Sequence, residues 1–129
     1  MNESFESGVR LYPSRRPEQA LQEFRGLATG PGATPELDYY IGLCLTQLGR
    51  WDEALLSLQK VVDANFSFLH AVQARMVLGY IYSVTGRHRL AEFEFARVCE
   101  QGLQSSQALS ALGFALYAQH KVKEAVETL

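Results

Sequence analysis

A glycine followed twelve residues later by an alanine occurs four times in this chain: Gly8 and Ala20, Gly42 and Ala54, Gly79 and Ala91, Gly113 and Ala125. Successive glycines are 34, 37 and 34 residues apart. Two small residues at fixed separation, copied with a period near 34, call for one supersecondary unit stacked on itself. The surrounding residues repeat as well. GRWDEALLSL (49–58) is echoed by GRHRLAEFEF (86–95), RRPEQALQEF (15–24) and HKVKEAVETL (120–129). Each has a polar turn and then an alanine opening an apolar run.

The unit is a pair of helices. Leu37, Ile41, Leu45 and Leu48 recur at helical spacing, as do Leu55, Leu58 and Val62. No period-2 alternation marks a strand. Thr34-Pro35 supplies an N-cap and a proline in the first helical position. Gly49 and Gly86 stand where a first helix must stop, and Asn65 and Gly102 can close the second helices. The spacing predicts helices over 2–12, 17–28, 35–48, 51–64, 68–85, 88–101, 105–119 and 121–129. Three extra residues in NFSFLHA (65–71) lengthen the third repeat's first helix or its entry loop. In GRWDEA the glycine ends one helix and Trp51 covers the turn. Asp52 and Glu53 put negative charge in the next helix's first turn. Gly42 and Ala54 are small because the two helices cross closely.

The expected fold is all-α, an α-solenoid of antiparallel hairpins in a right-handed superhelix. It forms one domain over 1–129, with repeats at about 1–34, 35–71, 72–105 and 106–129, the last incomplete. Composition agrees: 129 residues, 47% apolar and 20% charged, suit one folded domain with a core. A net charge of −2 gives no strong field for nucleic acid or anionic membrane. No apolar run approaches the roughly 20 residues of a membrane helix, and the acidic, mixed start MNESFESGVR is no secretory signal. Cys44 and Cys99 lie in apolar surroundings without a CxxC and read as reduced packing residues. These features point to a cytoplasmic protein.

The period, the small residue in each first helix, the aromatic three residues later and the alanine of the second helix resemble the tetratricopeptide repeat. LGYIYSVTGRHRLAEFEFA (78–96) matches best, through Leu78, Gly79, Tyr82, Gly86, Ala91 and Phe95. The first repeat is weaker, since Pro13 ends its first helix early. Asp38 and Arg75 stand where an aromatic often opens the pattern. The resemblance implies a binding scaffold.

Catalytic constellations are missing. His70, His88 and His120 are scattered, with the last two in corners. No His-x-x-x-His, metal-spaced cysteine pair, phosphate loop or nucleophile elbow occurs. The chain is expected not to be an enzyme and to hold neither metal nor cofactor.

Two apolar stripes run along each first helix. One includes Ile41, Leu45, Leu78, Tyr82, Leu109, Leu112 and Leu116 and is core. The other includes Phe5, Val9 and Tyr12, then Tyr39 and Leu43, Met76, Tyr80 and Val84, and Phe114 and Tyr117, with Tyr40 and Val77 beside it. In tetratricopeptide proteins the second stripe lines the concave peptide groove. Part of each ring packs between repeats, but a tyrosine hydroxyl needs a partner, and tyrosine is enriched at wet binding surfaces. Tyr39, Tyr40, Leu43, Met76, Tyr80, Phe114 and Tyr117 are therefore the expected peptide-binding residues. No cation occupies the positions at which some family members clamp a C-terminal carboxylate. An apolar or amphipathic peptide fits better.

Seven of twelve cations, Arg15, Arg16, Arg50, Arg87, Arg89, Lys121 and Lys123, cluster at the predicted corners, interleaved with acids. Three functions follow as expectations: a scaffold for an apolar segment, a self-assembling module, and, least favoured, a binder of acidic partners through the basic edge. The partner is a protein or peptide, with a homodimer as the alternative and no nucleic acid or membrane. The fourth repeat's second helix stops at Leu129, about a turn short. Val122, Val126 and Leu129 would lack a covering neighbour, which predicts either a fragment of a longer protein or self-association through those residues.

Overall fold

The computed structural model of the chain describes residues 16–101 and 106–128, the side chains at 122 and 124–128 excepted. Among the described residues there are six helices and no strand. They are α1 (Pro17–Ala28), α2 (Pro35–Gln47), α3 (Trp51–Ala64), α4 (Phe68–Val84), α5 (His88–Glu100) and α6 (Ser106–Thr128). The fold is the all-α repeat that the sequence predicts. The helix expected over 2–12, with Phe5, Val9 and Tyr12, lies outside the described residues, as does Gly102.

The chain forms two compact units, Met1–Ala74 and Arg75–Leu129, and α4 contributes to both. In the first unit α2 packs against α1 and α3. Ala20, Phe24, Leu37, Cys44, Leu45, Ala54, Leu58 and Val61 make its buried core. In the second, Ala91, Phe95 and Ala115 form a core cluster under Met76, Tyr82, Ala111 and Leu112.

The small residues are placed as the repeat requires. A Cβ on Gly42 would lie 2.7 Å from Leu58 Cγ. A Cβ on Gly79 would overlap the Phe95 ring, 2.6 Å from Cζ. Ala54 and Ala91 are fully buried. In both repeats the side chain filling the glycine notch stands sixteen residues after the glycine. Phe24, sixteen after Gly8, is also fully buried.

The corners are glycine-dependent. Gly49 and Gly86 have φ of 73° and 79°, the left-handed region that costs other residues most. Each ends its helix with the same pair of hydrogen bonds. Gly49 N–H donates to Thr46 O and Arg50 N–H to Leu45 O; Gly86 N–H donates to Ser83 O and Arg87 N–H to Tyr82 O. Trp51 covers the first corner, with Cζ2 3.9 Å from where a Gly49 Cβ would lie. Asn65 closes α3 with φ 46°. Thr34 sits extended at the N-cap of α2 and Pro35 follows it, but the threonine makes no side-chain cap bond. The insertion of the third repeat is taken up in the helix: α4 has 17 residues where α2 has 13, four more.

One expected corner is absent. Helices over 105–119 and 121–129 are instead the single helix α6, and residue 129 lies outside the described residues. Gly49 and Gly86 each stand seven residues after the repeat glycine, and the residue seven after Gly113 is His120. Without a glycine to take the left-handed turn, the helix continues. His120, Lys121 and Lys123 are thus helical rather than corner residues.

Candidate functional site

In the first unit the expected groove residues belong to a packed aromatic cluster. Tyr40 stacks on Phe24 with centroids 5.4 Å apart, and its hydroxyl donates to Glu36 Oε1 at 3.1 Å. Burial raises the Tyr40 pKa, and the nearby, hydrogen-bonded Glu36 carboxylate adds to that rise. Tyr39 meets Tyr40 and His70 edge-on, at 5.5 and 5.3 Å. His70 is held by Ser67 Oγ at 2.9 Å from Nδ1 and by Glu36 Oε1 at 3.5 Å from Nε2. The hydroxyl that made Tyr40 look like a wet contact thus has an internal partner one helical turn earlier, a spacing that sequence reasoning could have used. Leu43 is buried.

In the second unit Met76 packs against the Ala91–Phe95–Ala115 cluster. Tyr80, Phe114 and Tyr117 are 51%, 58% and 58% exposed. Lys121 Nζ lies 5.6 Å from the Tyr117 centroid. Leu109 and Leu116, expected in the core, are half exposed, and a Cβ on Gly113 would meet nothing within 4 Å. The reason is the uninterrupted α6: the second helix that would cover this stripe is not folded back onto it. Val122 and Val126 fall on α6, but their side chains lie outside the described residues, as does Leu129.

The α4–α5 corner and α6 border an open cleft of about 640 Å³ lined by Gly86, Arg87, His88, Arg89, Leu90, Gln119, His120 and Lys123. Arg87 Nε donates to Thr85 Oγ1 at 3.1 Å, and the guanidinium lies 5.2 Å from the Tyr82 centroid. His88 Nδ1 is buried without a hydrogen-bond partner. Gln119, part of the cleft lining, donates from Nε2 to Glu92 Oε1 at 2.6 Å. Sequence reasoning had assigned these cations to a screened edge; the helical run through His120 brings Lys123 to the arginine corner.

Other chemistry is sparse among the described residues. No cluster of histidine, cysteine and carboxylate could hold a metal. No helix is long and apolar enough to cross a membrane. Cys44 and Cys99 are free and buried, and burial pushes the Cys44 thiol up to about 11.

The sequence pattern of the tetratricopeptide repeat matches residues 5–65 and 47–102. The chain belongs to the tetratricopeptide repeat family. Solved structures share the fold. The first tetratricopeptide domain of Spaghetti (RPAP3), bound to the HSP90 peptide SRMEEVD, superposes with a TM-score of 0.79 at 16% identity, over 91% of this chain and 90% of that one. MamA does so at 0.80 and 18% identity, over 96% of this chain and 66% of that one. MamA from Desulfovibrio magneticus RS-1, from its residue 41 to the end, gives 0.79 and 21%, over 98% and 72%. No curated protein sequence matches this chain. A tetratricopeptide fold is a protein–protein interaction module, and this chain is one.

Proposed function

We propose that this chain is a non-catalytic scaffold that binds an apolar or amphipathic peptide segment of a partner protein through its aromatic helix faces. The observation that carries this reading is the exposure of Tyr80, Phe114 and Tyr117, each more than half open to solvent. Amphipathic rings of this kind supply much of the energy at protein interfaces. Within the first unit, Tyr39 and Tyr40 are partly buried rings already engaged by His70 and Glu36. Leu43 and Met76 act by packing under the surface rather than by touching the ligand. RPAP3 binds a peptide with two glutamates and an aspartate. On the expected groove stripe stand Phe5, Tyr39, Met76 and Ser110 before the repeat glycines and Val9, Leu43, Tyr80 and Phe114 after them; none is a cation, which favours apolar anchors over a charged clamp. Capture of partners from native extract by the wild-type chain, set against a Tyr80→Ala/Phe114→Ala chain, tests it. The bound segment should be lost from the variant and retained in high salt; a partner kept by the variant contradicts the proposal.

The basic cleft supports a second reading, in which an acidic segment docks beside Arg87, Arg89 and Lys123. Binding through that cleft would weaken steeply with salt and with Arg89→Glu, and would be indifferent to Tyr80→Ala.

A further inference from the structure

Resting on the second reading, in which the basic cleft takes an acidic segment, we infer that the segment is phosphorylated and carries an apolar residue beside its phosphate. Arg87 and Arg89 reach the cleft from the α4–α5 corner and Lys123 from α6. Among the described residues no carboxylate lines it. Glu92, one turn into α5, is engaged by Gln119. Neither Arg89 nor Lys123 has an ion-pair partner among the described residues. Arg87 is already oriented: its Nε bonds Thr85 Oγ1 and its guanidinium lies over the Tyr82 ring, which leaves its Nη groups for a ligand.

Three cations oversupply a single carboxylate. A phosphate monoester carries a charge of roughly −1.5 to −2 at pH 7 and three acceptor oxygens, and guanidinium forks bind it through paired N–H donors. The first turn of α5, which also lines the cleft, holds no acid and has no side-chain cap, so its amide N–H groups and dipole favour the same charge. The volume and the rim point to a chain rather than to free phosphate. About 640 Å³ is far more than a phosphate group fills and suits a larger ligand. Leu90 in the lining is 46% exposed, and Phe93, three residues on along α5, is 57% exposed. A segment with its phosphate on the cations can lay a neighbouring apolar side chain on this step.

Fluorescence anisotropy with the full 129-residue chain tests this. The probes are labelled peptides that carry phosphoserine, glutamate or serine between two leucines, and a phosphoserine peptide with alanines in place of the leucines. The phosphoserine peptide should bind at least tenfold tighter than the glutamate peptide. Arg89→Ala/Lys123→Ala, with an unchanged far-UV spectrum, should abolish that preference, and Lys60→Ala, which removes a cation from α3, should keep it. The alanine-flanked peptide should bind several-fold more weakly, a difference that Leu90→Ala erases. In an amide correlation spectrum of the wild type the phosphoserine peptide should shift Arg87, His88, Arg89 and Leu90 more than Tyr80 and Phe114. Equal binding of the glutamate and phosphoserine peptides, both released by Arg89→Ala/Lys123→Ala, overturns the phosphate inference and leaves the acidic reading standing. Acidic peptides that ignore the double variant overturn both. Displacement of the phosphoserine peptide by inorganic phosphate at the peptide's own concentration makes free phosphate the ligand and overturns the docked segment.

Discussion

Phe95 occupies the space that a side chain on Gly79 would need: a Cβ there would lie 2.6 Å from the ring's Cζ. Phe95 is almost fully buried, so the ring has nowhere to retreat. Gly79→Ala should therefore cost about 1–3 kcal/mol, as should Ala54→Leu or Ala91→Leu at the matching crossings. Gly113→Ala is the contrasting case. In dilute solution, where chains are separate, it should gain about 0.5–1 kcal/mol, since alanine is the better helix former and meets nothing. Urea midpoints of the four variants, compared with the wild type, check both signs.

Arg75 stands where the repeat often has an aromatic, and its Nη1 bonds Glu94 Oε1 at 2.8 Å, with both side chains largely buried. Glu94→Ala would strand the arginine and should cost about 3 kcal/mol, whereas an apolar replacement of both (Arg75→Met/Glu94→Leu) should stay within about 1 kcal/mol of the wild type. Burial raises the Glu94 pKa, against the pull of Arg75 and Arg97. The folded state thus holds this proton more tightly than the unfolded state. Its contribution to stability is greatest below the ordinary carboxylate pKa and falls as pH rises through the raised value. Denaturation across pH 4 to 8 should show that loss in the wild type and not in Glu94→Gln.

Cys44 is fully buried, and its thiol is pushed up to about 11. At neutral pH it should be inert to a thiol reagent in the native state and react only when the first unit opens. Its modification rate across a urea series should follow unfolding; rapid reaction of the native chain would contradict the packing of α2.

The hairpins were legible because each rests on a local residue with one physical job. Gly49 and Gly86 take a left-handed turn, and Gly42 and Ala54 let helices touch. The fourth corner was misread from a matching alanine. Ala125 preserves the crossing position, but the turn depends on the residue at 120, and a histidine there leaves α6 uninterrupted. The aromatic stripe was legible as a stripe, while its division was not. Whether a tyrosine is anchored or open depends on partners such as Glu36 for Tyr40, or on their distance from any covering helix, as at Tyr117. The Arg75–Glu94 pair joins residues nineteen apart on different helices, and no local pattern announces it.

The most direct measurement is calorimetric titration of the captured peptide segment into wild type, Tyr80→Ala and Leu43→Ala, with melting temperatures taken on the same samples. Tyr80 is half exposed and Leu43 is buried. The account predicts that Tyr80→Ala weakens binding at least tenfold with its melting temperature little changed, while Leu43→Ala loses about 2–5 kcal/mol of stability. Full affinity in Tyr80→Ala, or a melting temperature that falls as far as that of Leu43→Ala, would contradict the assignment of the exposed rings to the binding surface.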